Sequence, residues 1–185
     1  KPSVIFLEPL AKIVAKVLTN KQAVQNFVAK RRPTLLGVKK LMKTVEGMLV
    51  PAQTRTDVLN GYNLTPEQMI KKGKIPVIFF NGKEPKYGCY QMCSVMYAAL
   101  KEMGLKPKMT RYFISNHVPH STILFSLNGK IYEADPFYNS QLNRVDKTRL
   151  EQIKELKKIK KFRFIKPGDY TKPKYDKERK TGKFH

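Results

Sequence analysis

Tryptophan is absent from this chain of 185 residues, cysteine occurs only twice, and acidic side chains are scarce. Each shortage excludes something. Two cysteines cannot build the disulfide framework of a small secreted domain. Both fall in "YGCYQMC" (residues 87–93), four positions apart, and on a helix that spacing is too wide for a relaxed bridge. Such usage fits a reducing intracellular compartment or a virion better than secretion. No uninterrupted apolar run approaches the ~20 residues of a membrane span. The apolar start Val4-Ile5-Phe6-Leu7 is broken by Glu8 and Pro9, so no signal peptide is expected there. No internal repeat is present.

Asp and Glu total 14 against 37 Lys and Arg, a formal charge of +23. Such a field repels itself and attracts polyanions: nucleic acid, an anionic polymer or an anionic membrane. Lysines solvated on every face would give the same total, so charge alone leaves the partner open. Ten Phe and nine Tyr supply the bulk that Trp does not. The length suits one domain with a real hydrophobic core.

Spacing along the chain predicts helices first. Leu10, Ile13, Val14, Val17 and Leu18 repeat helically within residues 10–31. Thr34 caps a second segment, with Leu35, Val38, Leu41, Met42, Val45 and Met48 at threes and fours. Residues 51–64 are polar and turn-rich. Thr65-Pro66-Glu67-Gln68 is a capping box with Pro at the first helical position, and Gly73 ends that helix. "PVIFF" (76–80) is a short strand or buried loop, "NGKEPKYG" (81–88) a loop. Cys89 to Met103 reads as an amphipathic helix stopped by Gly104. The period then changes to that of strands: "MTRYFIS" (109–115), "HSTILFSL" (120–127) and "KIYEAD" (130–135). Asn128-Gly129 is a type I′ hairpin signal. Asp146 or Thr148 caps a basic helix over about 149–159, and "KFRFIK" (161–166) alternates like an edge strand. Beyond Pro167 the basic, aliphatic-poor tail reads as extended or disordered. Helices followed by antiparallel strands indicate an α+β fold.

Four uses are open for the cysteine pair: a metal clip, a disulfide, two buried hydrophobes, or a nucleophile with a neighbour. Cys89 follows Gly88 at a helix start, where the macrodipole and unpaired amide N–H groups favour a thiolate. A glycine there also lets a substrate backbone approach the sulfur. A nucleophile further needs a base and an acid that orients the base. The turn at 128–129 folds two strands so that His120, at the start of one, lies beside Asp135, at the end of the other. Zinc is the competing use, because Cys89, Cys93, His117 and His120 are four plausible ligands. It leaves Asp135-Pro136 without a role. "KELKKIKKFRF" (154–164) interleaves basic and aromatic residues, as a surface tracking phosphates would; a solvated helix face reads the same way.

Gly88-Cys89, the helix "YAALKEMG" running into Leu105-Lys106-Pro107, His120 followed by a small residue, and "GKIYEADP" stand in one order. That order resembles the transglutaminase-like, papain-related superfamily over about residues 65–137. The resemblance implies a transglutaminase-like core over those residues; with it the chain reads as a domain of residues 1–166, its N-terminal helical extension (1–64) and the basic C-terminal tail (167–185) lying outside the resemblance. It implies Cys89 as nucleophile, His120 as base and Asp135 as orienter. The Cys89 N–H would be one oxyanion donor, with Asn81 or Gln91 a second, and Tyr90 and His117 would contact substrate. Thr122 stands where the family has an aromatic two residues after the histidine. No cofactor is required, and no calcium loop is seen. The implied activity is a cysteine peptidase or amidase, or, with an amine as acceptor, a cross-linking enzyme. The alternative is a basic, nucleic-acid-associated or virion-type binding protein that keeps such a fold without turnover.

Overall fold

The computed structural model describes residues 33–52, 54, 64–80, 84–137 and 141–185. The expected helix over 10–31 and most of the turn-rich stretch 51–64 lie outside these residues. Helix α1 (Leu35–Gly47) begins where the Thr34 hydroxyl accepts the Gly37 N–H at 3.0 Å. It buries Val38, Leu41, Met42 and Val45, one helical stripe. Helix α2 (Pro66–Lys72) has the full capping box, and Gly73 closes it with φ 63°. Around these helices, β1 (Leu49–Pro51), β2 (Ile75–Phe80) and β3 (Glu84–Tyr87) form a small sheet, with β1 parallel and β3 antiparallel to β2. Residues 84–87 are thus a strand and not the expected loop. The free edge of β2 gives their backbone groups partners that a loop would have had to find in water.

Helix α3 (Cys89–Glu102) departs from the amphipathic expectation. Tyr90 to Met96 and Ala98 to Leu100 are all buried, because α1 and α2 pack against one side and the large sheet against the other. A helix enclosed all round needs small or apolar residues all round. Ser94 meets that demand by donating its hydroxyl to the Tyr90 carbonyl at 2.8 Å. Each fully buried Met, Leu or Val contributes about 1.5–3 kcal/mol, so packing and not capping holds α3, whose start has no side-chain cap.

The large sheet is antiparallel: β4 (Lys108–Ser115), β5 (Val118–His120), β6 (Ile123–Leu127), β7 (Lys130–Asp135), β8 (Gln141–Arg144) and β9 (Phe162–Ile165). The single strand expected over 120–127 is two pieces that face the same strand β4, Tyr112 opposite His120 and Met109 opposite Ile123. The break at Ser121-Thr122 has a local cause. The Thr110 hydroxyl accepts the Thr122 N–H at 3.1 Å, while the Thr110 N–H donates to the Thr122 carbonyl at 2.9 Å. A side-chain oxygen thereby replaces one rung of the ladder and bends the strand. The 128–129 turn takes the expected I′ form, with φ 51° at Asn128 and 73° at Gly129, and pairs Leu127 with Lys130. β8 was not anticipated, having too few apolar residues to show a period. Asp146 caps α4 (Lys147–Lys158), its carboxylate accepting the Arg149 N–H at 2.8 Å. β9 pairs with β4, as its alternation suggests.

Residues beyond Pro167 correct the expectation of an extended tail. They form α5 (Lys172–Thr181), and Tyr170, Tyr175 and Phe184 are buried. Composition misleads here because three aromatic rings, spaced to one side of a lysine-rich segment, suffice to dock it. Phe184 packs on Phe113 with ring centroids 4.7 Å apart. The chain is therefore α+β, with helices before an antiparallel sheet and one apolar cluster running from Val38 to Tyr175 around α3. None of the described helices is long and apolar enough to cross a membrane.

Gly88 joins β3 to α3. Its φ of 133° is closed to most side chains, and a Cβ there would lie 2.4 Å from Val77 Cγ1. The glycine is buried, and a side chain there would run into β2. It sets where α3 begins, and hence where Cys89 stands. Gly88→Ala should lower the unfolding free energy by about 2–5 kcal/mol, the sum of backbone strain and overpacking. Urea unfolding measures this. Adding Val77→Ala should recover the packing share and leave the strain.

Candidate active site

Three elements bring Cys89, His120 and Asp135 together. Cys89 is the first residue of α3, His120 ends β5 at the bend, and Asp135 ends β7. His120 Nε2 lies 2.7 Å from Asp135 Oδ2, and the imidazole is close enough to Cys89 for each group to shift the other's titration. The Asp135 carboxylate is itself held, since Oδ1 accepts the Phe137 N–H at 3.1 Å across Pro136. His120 is only 2 % exposed. Its ring is clamped edge-on by Tyr112, at 5.6 Å between centroids, and flanked by Phe137 at 5.8 Å. These two rings make the aromatic wall that Thr122 does not. Thr122 instead donates to Glu133 at 2.8 Å, and Arg149 grips Glu133 with bonds of 2.7 and 2.8 Å. That network stiffens the strands on either side of the bend.

The electrostatics favour charge separation. Burial alone would push the Cys89 thiol up and the His120 imidazole down. The hydrogen bond and charge of His120, then the Arg111 guanidinium and a Ser121 backbone hydrogen bond, outweigh burial and hold Cys89 below its ordinary range. The bonds from Asp135 and Cys89 likewise outweigh burial at His120 and raise it to about 9. Both shifts favour the thiolate–imidazolium form of the pair, which titrates as a unit.

Cys93, one turn on, behaves oppositely. It is fully buried, donates its thiol to the Ser121 carbonyl at 3.3 Å, and is pushed well above the usual thiol range, first by burial and then by Asp135 and Cys89. It is a packing residue that ties α3 to the bend. The four zinc ligands are not gathered. His117 sits in the β4–β5 turn with φ 79°, its Nδ1 2.8 Å from the Arg179 carbonyl oxygen. Among the described residues no three His, Cys, Asp or Glu side chains form a metal-binding group.

Other expected site residues are placed elsewhere. Tyr90 is buried, and its hydroxyl accepts the Gly168 N–H at 2.8 Å, so it anchors the C-terminal segment and faces no substrate. His117, exposed in the β4–β5 turn, holds the same segment through the Arg179 carbonyl. Gln91 is fully enclosed in the core, without access to a substrate. Asn81 lies outside the described residues. A polar cavity of about 330 Å³ borders Asp135 and is lined also by Glu133, Arg149 and Gln152, but Cys89 and His120 do not line it.

Sequence reasoning missed Arg111. It is fully buried, its Nη1 3.7 Å from Cys89 Sγ and 3.2 Å from the Ser121 hydroxyl. The signal was available. In β4 it shares a face with Met109 and Phe113, both buried, so alternation alone places a cation inward, where it must find partners.

No protein-family model, curated protein or solved structure matches the chain.

These assignments set an order of thiol reactivity. At pH 6.5 iodoacetamide should modify Cys89 and leave Cys93 untouched, as read by peptide mass spectrometry. His120→Ala should carry the Cys89 midpoint upward, past the free-thiol value of about 8.5, because burial is then less opposed.

Proposed function

We infer that this chain is a thiol-dependent acyl-transfer enzyme with a transglutaminase-like core, most simply a cysteine peptidase or amidase. The observation that carries the reading is the line from Cys89 through His120 to Asp135, with His120 bonded to Asp135 at 2.7 Å and electrostatically coupled to Cys89. A core histidine with only a structural role needs one partner. This one has a carboxylate on Nε2 and a thiol among the groups that shift its titration, the set of groups that nucleophilic catalysis requires.

The steps follow from that line. The Cys89 thiolate attacks the carbonyl carbon of an amide, forming the C–S bond and sending the π pair to oxygen. The Cys89 backbone N–H, at an end of α3 that no side chain caps, would meet that oxyanion. His120 gives its proton to the leaving amine as the C–N bond breaks. Neutral His120 then takes a proton from water, whose oxygen attacks the thioester; the acid departs and the thiolate–imidazolium pair is restored. Asp135 keeps the imidazole oriented through both halves. Hydrolysis is preferred to cross-linking because most compact members of the superfamily that the chain resembles are hydrolases. An amine in place of water would give the cross-linking outcome.

A second reading has its own observation. Phe164 on β9 is 44 % exposed, and Lys108 and Lys157 lie over its ring at 5.4 and 4.7 Å. A ring between cations at a sheet edge suits a polyanion, and a binding protein without turnover would need nothing from Cys89.

An acyl donor that needs no recognition separates the two. With p-nitrophenyl acetate, the enzyme reading predicts a burst of one equivalent of nitrophenolate, with acetyl on Cys89. Cys89→Ala should abolish the burst, and Asp135→Asn should slow it on the order of 10²–10⁴-fold. Turnover unchanged by added methylamine marks a hydrolase. A folded protein that gives no burst, yet binds single-stranded nucleic acid with a steep salt dependence, is the binding protein.

A further inference from the structure

The geometry points to Arg111 as a second cation that holds the Cys89 sulfur as thiolate, clamped in place by the C-terminal segment. This rests on the acyl-transfer reading and extends it to residues outside the triad. The Arg111 guanidinium is enclosed on every side. Nη1 reaches Cys89 Sγ and the Ser121 hydroxyl at 3.7 and 3.2 Å. Nη2 donates to the Tyr170 hydroxyl at 2.7 Å, and the guanidinium carbon lies 4.2 Å from the centre of that ring. Nε is 3.5 Å from Glu178 Oε2. Tyr170 precedes α5 and Glu178 lies within it, so the segment beyond residue 167 closes over the arginine.

A cation buried this completely must be compensated. Glu178 does so only in part, because it is shared: Arg163 on β9 takes its other oxygen at 2.6 Å. Two guanidinium groups thus face one carboxylate, and one positive charge remains over. Cys89 Sγ is the atom within reach of Nη1 that can ionise. The groups facing the sulfur are His120 from β5, Arg111 from β4 and Cys93 from α3 itself. Asp135 from β7 stands behind His120; Arg163 from β9 and Tyr170 and Glu178 from the C-terminal segment stand behind Arg111. The arrangement gives Arg111 a task that His120 cannot perform. When His120 passes its proton to the leaving amine its charge is lost, whereas an arginine keeps its charge at every step. On regeneration the thiolate therefore departs from the acyl group into a site that is already positive.

Two positioning contacts hold Arg111 for this. Tyr170 fixes the plane of the guanidinium, and Glu178 with Arg163 anchors its Nε edge. The anchorage extends through the whole segment: Gly168 N–H donates to the Tyr90 hydroxyl, and His117 is bonded to the Arg179 carbonyl.

The pH dependence of iodoacetamide modification at Cys89 tests this without any substrate. In the wild type the midpoint lies below the ordinary thiol value. Arg111→Met should raise it by at least about one pH unit, since a charge at this distance inside a protein interacts by several times what it would in water. Arg111→Met/Glu178→Gln removes both charges and leaves no orphaned carboxylate, so it tests the same point if the single variant folds poorly; continued protection of Cys93 reports the folded state. Arg111→Lys should keep part of the shift. In the nitrophenyl acetate burst the Met variants should be slowed at least about tenfold at pH 6 and approach wild type by pH 9, where the thiol ionises unaided. A merely structural arginine would depress the burst equally at all pH values. A wild-type midpoint below about 8 that stays put in the folded Met variants overturns the role of Arg111 and leaves the triad intact. A wild-type midpoint at or above about 8.5 overturns the acyl-transfer reading, and this inference with it.

Discussion

Buried charge must be compensated, and around Cys89 it is compensated in a chain of alternating sign. Asp135, His120, Cys89, Arg111 and Glu178 follow one another, acids alternating with bases, and Arg163 ends the line; burial pushes Cys89 and Glu178 up, and at Cys89 the charges of His120 and Arg111 outweigh it. No member is stable alone at this depth. At an effective dielectric of 20 two charges 4 Å apart interact by about 4 kcal/mol. The exposed helical pairs, such as Lys43–Glu46 and Lys158–Glu155, contribute about 0.3–0.5 kcal/mol each. Of the 37 basic residues, the two arginines of this line therefore matter far more to the site than the surface lysines that dominate the total.

The fold serves that line by fixing where each member starts. Gly88 sets the first residue of α3 against the small sheet, and Cys93 ties the next turn to the bend in the large one. Thr110 makes the bend by placing a hydroxyl where a backbone carbonyl would have been. His120 stands on one side of it and the Thr122–Glu133–Arg149 network on the other. The C-terminal segment, docked by Tyr170, Tyr175 and Phe184, completes the enclosure of Arg111. A site assembled from the first residue of a helix, a strand bend and a distant chain end depends on tertiary packing at every point.

Much of this was legible before any coordinates. The capping box at Thr65, the helix starting at Cys89 and the Asn128-Gly129 turn are local signals, and local chemistry settles them. The turn fixes β6 against β7, with Ile123 opposite Ala134; His120 lies beyond that ladder, on β5, and meets Asp135 across the bend. What sequence did not reveal is non-local. α3 is enclosed all round because α1 and α2 cover what would be its polar face. Tyr90 and Gln91 lie beside the nucleophile in sequence but in the core in space. The tail folds because it has a sheet to dock on, which no composition count contains. Arg111 lay between these cases. Strand alternation turned it inward, but only the packed structure names Cys89, Tyr170 and Glu178 as its partners.

The most direct test of the central claim is the protonation state of His120 in the folded protein, followed by the imidazole ¹⁵N and ¹³C shifts through a pH titration. The account predicts an imidazolium with both nitrogens protonated from pH 6 upward, giving up its proton near pH 9. Replacement of Cys89 by Ser should lower that midpoint, because the thiolate is one of its supports. A neutral ring at pH 7.5, titrating near the ordinary value of about 6.5 and indifferent to Cys89, would contradict it.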